Sequence, residues 1–280
     1  MDLNNKLCVV TGANSGIGFE TTKELVKRGA FVVMVCRNED KAEAAKRKIQ
    51  EEVHGGGMEI ILCDFSIQSE IRSAAEKIKS TYQTIDMLIN NHGLVSAKYQ
   101  ETVDGLEYTF AVNHIGYFLF TNLLLDHLKA AERARIINVA SDAHKGGRFD
   151  PDNIQLKDGY SNWTAYGNSK LYNILFTVGL ADRLKETNVT VNCLHPGVIR
   201  SNFGNNGSGV FKLFWKMCGP FMKSNRQGAE TTIYLATSDE VEEVNGAYFK
   251  NSKVTTPSKI ARNKKYAEKL WEYSESVVDS

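Results

Sequence analysis

The feature that most constrains the fold is a set of three glycines, Gly12, Gly16 and Gly18, between an apolar run and a helix-periodic segment. The apolar run is Leu7-Cys8-Val9-Val10, and the helical period begins near Phe19. Glycine lets the backbone turn tightly and approach a phosphate, while free N–H groups at a helix N-terminus stabilise the phosphate charge. A strand, a glycine turn and a helix in this order therefore predict a nucleotide cofactor.

Length and composition favour one α/β domain spanning residues 1–280. With 42% hydrophobic residues the chain can bury a large core, and its net charge of +1 excludes a strong field for nucleic acid or an anionic membrane. The five cysteines lack metal-site spacing, so we expect no metal and a reducing compartment. The first strand leaves no room for a signal peptide, and no apolar run reaches about 18 residues. We therefore expect a cytoplasmic protein without a membrane span.

Strand-length apolar runs alternate with helix-periodic segments along most of the chain. The predicted strands are Leu7–Val10, Phe31–Cys36, Glu59–Cys63, Met87–Ile89, Arg135–Val139, Thr190–Leu194 and Ala247–Lys250. This alternation predicts a doubly wound parallel sheet of about seven strands, of the Rossmann type, with helices on both faces.

Two stretches interrupt this alternation at the carboxyl ends of predicted strands, where ligands bind in such sheets. They are Asp142–Asn162, which is polar, and Arg200–Lys223, which contains glycines and an aromatic cluster. We interpret residues 200–223 as a substrate lid whose apolar face favours an aldehyde, ketone or hydroxy-lipid. The alternative is an interfacial helix making weak contact with a membrane surface, since lysines alternate with its aromatic residues.

Tyr166 and Lys170 are four residues apart in a predicted helix, so their side chains share one face. A nearby ammonium stabilises a phenolate, which would bring the tyrosine closer to the pKa that acid–base catalysis near neutrality requires. Ser141 follows a predicted strand, where its hydroxyl would bind a substrate oxygen or cap a turn. Asn113, inside a predicted helix over residues 106–128, would bind a water or a backbone carbonyl.

Residues that follow the second, third and fourth predicted strands suggest how the adenosine end of the cofactor is bound. An arginine after the second strand, Arg37, favours a 2′-phosphate and hence NADPH. Glu39 and Asp40 follow closely, and the alternative is that they simply face solvent with Lys41 at a helix start. Asp64 and Phe65 follow the third strand. The candidates after the fourth strand are Asn90, Asn91 and Gly93, and each of these residues could instead belong to an ordinary turn.

Taken together, these residues resemble the short-chain dehydrogenase/reductase family over nearly the whole chain. The motifs that carry the resemblance are Thr11-Gly-x-x-x-Gly-x-Gly18, Asp64, Asn90-Asn91-His92-Gly93, Asn113, Ser141, Tyr166-x-x-x-Lys170 and Pro196-Gly197. Within the family the chain looks most like the retinol dehydrogenase-type NADPH-dependent reductases. It departs from the family pattern at His92, where alanine is usual.

The resemblance implies a role for each matching residue. Tyr166 would be the acid/base, Lys170 would bind the nicotinamide ribose, Ser141 would orient the carbonyl and Asn113 would hold a proton-relay water. The implied cofactor-binding residues are Gly12, Asn14, Ser15, Gly16, Ile17, Gly18, Arg37, Asn38, Asp64, Phe65, Asn90, Asn91, Gly93, Tyr166, Lys170, Pro196, Gly197, Ile199 and Ser201. The family also implies a dimer or tetramer.

The function expected from the sequence is hydride transfer between NADP(H) and an apolar carbonyl or alcohol, with reduction as the favoured direction. One alternative is a regulatory protein that binds NADP(H) without turnover. Another is a module whose aromatic lid binds a lipid. Both alternatives predict cofactor binding without carbonyl-dependent oxidation of NADPH.

Overall fold

A single sheet orders the chain in the computed structural model, which describes residues 2–199 and 222–278. Its strands are β1 (Leu7–Thr11), β2 (Phe31–Cys36), β3 (Met58–Leu62), β4 (Met87–Asn90), β5 (Ala134–Val139), β6 (Val189–His195), β7 (Tyr248–Lys250) and β8 (Lys253–Val254). Their spatial order is β3-β2-β1-β4-β5-β6-β7-β8, and every neighbouring pair is parallel except β7 and β8. The strand order reverses between β1 and β4, which is where such sheets bind a dinucleotide.

Helices cover both faces of the sheet. They are α1 (Gly16–Lys27), α2 (Glu39–Glu52), α3 (Gln68–Thr81), α4 (Tyr108–Phe110), α5 (Gly116–Lys129), α6 (Asn162–Leu184), α7 (Asn225–Thr237) and α8 (Lys264–Val278). One buried cluster lies beneath α1, α2 and α7, and another lies beneath α3, α5, α6 and α8. The interior strands β1 and β5 are buried along their whole length and mostly apolar, because both faces of the sheet are covered.

The predicted doubly wound fold is confirmed, with two differences in detail. The sheet has an eighth strand, β8, which is a two-residue antiparallel edge beyond the seven predicted. The predicted helix over residues 106–128 is divided, because the π-helical turn Ala111–Ile115 separates α4 from α5. Among the described helices, none combines the length and the apolar character needed to cross a bilayer.

The glycine turn between β1 and α1 requires glycine for two separate reasons. Gly12 and Gly16 have φ of 64° and 58°, a backbone conformation that L side chains rarely adopt. Gly18 permits close packing, since a Cβ atom there would lie 2.2 Å from the carbonyl oxygen of Gly12. The side chain of Asn91 completes the turn by donating to the carbonyl oxygen of Thr11 at 2.9 Å.

We expect Gly18→Ala to lower the free energy of unfolding by about 1–3 kcal/mol, because the added methyl group would overlap the backbone of Gly12, which must then shift. Urea denaturation of the wild type and the variant measures this loss. Gly146→Ala is the matched control, since a Cβ atom there meets nothing within 4 Å. Equal stability of the two variants would contradict this account of the turn.

Candidate active site

A cleft of about 750 Å³ opens at the carboxyl ends of the parallel strands. Most residues that the sequence analysis selected line it: Gly12, Asn14, Ser15, Ile17, Arg37, Asn38, Asp64, Phe65, Asn91, Gly93, Ser141, Tyr166, Lys170, Pro196, Gly197 and Ile199. These residues come from loops and helices far apart in the sequence. The fold therefore brings the glycine turn, the Tyr–Lys pair and the loop after β6 around one space.

Some selected residues lie elsewhere. The side chain of Asn90 is buried in the sheet, where its Nδ2 donates to Thr121 Oγ1 and Asn138 Oδ1, both at 2.9 Å. Gly16 and Gly18 shape the turn without lining the cleft. Ser201 and nearly all of the predicted lid over residues 200–223 lie outside the described residues.

Asn113 lies in the π-helical turn and braces the loop after β4. Its Oδ1 accepts from the N–H of Leu94 at 2.8 Å, and its Nδ2 donates to the carbonyl oxygen of Leu94 at 2.9 Å and to Ser169 Oγ at 3.0 Å. The contact with a backbone carbonyl is one of the two partners expected from the sequence. The π-helical turn is a feature often found at functional sites, and here it links this loop to α6, which carries the Tyr–Lys pair.

His92 joins three parts of the site. Its Nδ1 lies 2.8 Å from Thr11 Oγ1, its Nε2 lies 2.9 Å from the carbonyl oxygen of Val112, and its ring stacks on Phe65 at 3.6 Å between centroids. Burial is the main cause that lowers its pKa to about 3, so the ring is neutral at physiological pH. A neutral ring satisfies both contacts when Nε2 carries the proton and Nδ1 accepts from the Thr11 hydroxyl. His92, where the chain departs from the family pattern, therefore connects these parts of the site by contacts that add no charge.

Tyr166 and Lys170 lie on one face of α6, as the four-residue spacing predicts. Lys170 Nζ donates to the carbonyl oxygen of Val139 at 2.9 Å and lies 5.7 Å from the centroid of the Tyr166 ring. Burial raises the pKa of Tyr166 to about 12, although a hydrogen bond from Ser141 acts to lower it. Burial also lowers the pKa of Lys170 to about 7. The expected lowering of the tyrosine pKa by Lys170 is therefore outweighed by desolvation, and the phenol is protonated at neutral pH.

Arg37 and Asp64 face each other at the opposite end of the cleft. Arg37 Nη1 lies 3.5 Å from Asp64 Oδ2 and donates to the hydroxyl of Tyr108 at 3.2 Å. The Arg37 side chain remains 62% exposed, so a ligand can reach its guanidinium. Asn38 caps α2 by accepting from the N–H of Lys41 at 2.9 Å.

Sequence reasoning missed several residues that line the cleft. They are Lys41, Asp142, Trp163, His195 and Lys250. The position of Lys250 at the end of a predicted strand was the available signal, because the carboxyl ends of parallel strands meet at one edge of the sheet. Lys41 lies at the start of α2 and is exposed, as the alternative from the sequence has it, and it also lines the cleft.

Comparison with known proteins identifies the family. A model of the short chain dehydrogenase family matches residues 6–208. The chain belongs to the short-chain dehydrogenase family. It is 41% identical to retinol dehydrogenase 12 of Mus musculus over 98% of this chain and 86% of that protein, and 39% identical to retinol dehydrogenase 14 of Homo sapiens over 99% and 87%. An uncharacterised protein from Mycobacterium paratuberculosis superposes with a TM-score of 0.81 at 31% identity, covering 99% of this chain and 94% of its own.

The cleft fits the nicotinamide cofactors that this family uses. No acidic side chain lies in the first turn of α1, and its N-cap residue Ser15 makes no side-chain capping bond, so the helix N-terminus is available to a phosphate. A Cβ atom at Gly93 would lie 3.3 Å from Asn113 Oδ1, so the backbone beside Lys170 is tightly packed. Within residues 2–199 and 222–278, no group of acidic, histidine or cysteine side chains is placed to hold a metal ion.

The neutral, buried state of His92 predicts how stability depends on pH. The unfolded chain takes up a proton below a pKa of about 6.5, whereas the folded His92 resists protonation down to about pH 3, so acid favours unfolding. Between pH 8 and pH 5 this one group should lower the free energy of unfolding by about 2 kcal/mol.

His92→Gln should remove this share of the loss between pH 8 and pH 5, as measured by urea denaturation at both pH values. His54→Gln, on the surface between α2 and β3, is the control and should leave the wild-type loss unchanged. If the free energy of unfolding of the His92→Gln protein falls between pH 8 and pH 5 by as much as that of the wild type, the folded His92 takes up a proton as readily as the unfolded one, which would contradict this prediction.

Proposed function

We propose that the protein is an NADPH-dependent reductase of aldehydes or ketones. The observation that carries this proposal is the placement of Ser141, Tyr166 and Lys170 on one cleft with the glycine turn. The 38–41% identity to retinol dehydrogenases over almost the whole chain supports the same reaction class. We also propose that residues 1–280 act as one domain.

The side chains divide the proton chemistry between them. A bound nicotinamide would supply the hydride. The Ser141 hydroxyl, which already bonds Tyr166, would donate to the carbonyl oxygen and hold it beside the phenol. Tyr166 would then transfer its hydroxyl proton to that oxygen as negative charge develops there. Lys170, whose pKa of about 7 allows it to take up a proton, would stabilise the resulting phenolate.

A phenol that holds its proton favours reduction over oxidation, since the carbonyl oxygen must gain a proton. Apolar side chains that line the cleft, among them Trp163, Leu94 and Val112, suit an apolar body on the substrate. A retinal-like, lipid-like or steroid-like carbonyl compound fits this lining. The aromatic segment over residues 200–223 supports the same choice from the sequence alone.

NADPH is the proposed cofactor because two cations lie at the adenosine end of the cleft. Arg37 is the first, and Lys41 at the N-terminus of α2 is the second. A short chain dehydrogenase from Escherichia coli CFT073 that was crystallised with NADPH has this fold, with a TM-score of 0.69 at 22% identity. A cytoplasmic location is also proposed, since Cys8, Cys36, Cys63 and Cys193 are free buried thiols of the kind kept in a reducing compartment.

Tyr166→Phe should lower kcat/KM for aldehydes by about 10²–10⁴-fold while NADPH affinity stays within a few-fold, because only the proton donor is removed. The measurement follows NADPH absorbance across a panel of aldehydes and ketones, together with direct NADPH binding. Tyr234→Phe on α7, whose hydroxyl bonds Glu240, is the control. Wild-type protein that binds NADPH without oxidising it would instead support the regulatory or lipid-binding alternative.

Arg37→Asp should shift the ratio of NADPH to NADH affinity toward NADH by about 10- to 100-fold, because a charge-assisted contact to phosphate is lost. Lys41→Met should shift it in the same direction by less. Arg47→Asp makes the same charge change on the exposed side of α2 and serves as the control. A wild-type preference for NADH would contradict the cofactor assignment.

A further inference from the structure

Charged side chains lie together where the cleft meets the ends of β5, β6 and β7. Lys250 Nζ donates to Asp142 Oδ2 at 2.7 Å, and Lys145 Nζ lies 3.2 Å from Asp142 Oδ1. The hydroxyl of Tyr248 donates to the same carboxylate at 2.9 Å. Asp142 and Lys250 both line the cleft, and Asp142 directly follows Ser141 in the chain.

A third lysine approaches from the segment after β6. The methylene stem of Lys223 crosses Gly197, and its Nζ donates to Asn251 Oδ1 at 2.8 Å. We call Lys145, Lys223 and Lys250, together with Asp142, the positive corner. Three ammonium groups against one carboxylate leave an excess of two positive charges.

His195 forms the wall beneath the positive corner without adding to its charge. Its Nε2 lies 3.9 Å from Asp142 Oδ2, too far for a hydrogen bond, and its buried Nδ1 has no partner among the described residues. Burial, reinforced by the three lysines, lowers its pKa to about 4. The excess charge of the corner is therefore that of the lysines. Asp64, the other acidic residue among the described residues that line the cleft, lies at the adenosine end.

The proposed cofactor does not account for this charge. Its phosphates would bind at the glycine turn and at Arg37 and Lys41, which lie across the cleft at the ends of β1 and β2. The positive corner lies instead beside Ser141, where the substrate carbonyl would bind. An uncompensated positive charge on the substrate side attracts an anionic group on the substrate.

We propose that the positive corner is an anion-binding subsite, with Lys250 as its principal contact, and that the preferred substrates are carbonyl compounds that also carry a carboxylate. This inference rests on the proposed reductase function. The apolar lining of the cleft would hold the hydrocarbon between the two groups. The carbonyl would bind Ser141 and Tyr166 while the carboxylate binds Lys250.

The test compares n-alkanals with ω-oxo acids of the same chain length, from four to ten carbons, at saturating NADPH. We expect the wild type to favour the oxo acid by about three- to tenfold in kcat/KM at the best chain length, and this preference is modest because the site is part-exposed. The preference should arise mainly from a lower KM for the oxo acid. High salt should reduce this preference. Equal kcat/KM for both series at every length would overturn the proposal.

Variants separate anion binding from a structural ion pair. Lys250→Met should abolish the preference for the oxo acid, Lys250→Arg should retain it, and Asp142→Asn should increase it by removing the competing carboxylate. Lys253→Met, on the exposed edge strand β8, is the charge-matched control and should leave the ratio unchanged. If Lys250→Met and Asp142→Asn lower activity on both series alike, the ion pair only positions the loop after β5, and the proposal fails.

Binding without turnover tests the subsite separately from the reaction. Calorimetric titration of the NADPH-loaded protein with octanoate and with octan-1-ol should show octanoate affinity falling at least about threefold in Lys250→Met, with octan-1-ol affinity maintained. If no aldehyde is reduced but this difference appears, the reductase function fails and the anion subsite stands. If aldehydes are reduced but octanoate affinity is independent of Lys250, the subsite fails and the reductase stands.

Discussion

The hydroxyl of Thr11 joins the two strands between which the sheet reverses its order. Its Oγ1 accepts from the N–H of Asn91 at 2.9 Å and of His92 at 3.2 Å, and lies 2.8 Å from the His92 ring. These contacts hold the end of β1 against the end of β4. The glycine turn on one side and the loop that packs on the π-helical turn on the other both depend on this junction, because their backbones leave the sheet directly from it.

Burial sets the chemistry of the Tyr–Lys pair. The same desolvation that raises the pKa of Tyr166 lowers the pKa of Lys170, since each ring or amine is moved away from water. The pair is neutral or singly charged at pH 7, and the proton remains on the phenol. A site built in this way is suited to donate a proton when negative charge appears on a bound oxygen, and the lysine can then become fully charged.

Residues in the site differ in how well the sequence predicted them. Tyr166 and Lys170 lie on one helix face because their spacing is a local property of the backbone. Asn90 and Asn113 were equally visible in the sequence, but neither side chain lines the cleft, because each is taken up by partners on other elements. Lys250 was not selected at all, since its value to the site depends on Asp142, which is 108 residues earlier in the chain.

The sequence by itself determined the strand–helix alternation, the glycine turn, the family and the face of α6 that carries the Tyr–Lys pair, because these follow from local periodicity and from residue types with narrow backbone preferences. Only the tertiary structure decided the π-helical turn at Asn113, the brace through His92 and the charge balance around Asp142. Each of these depends on contacts between distant segments and on the burial of ionisable groups, and neither property can be read from neighbours in the chain.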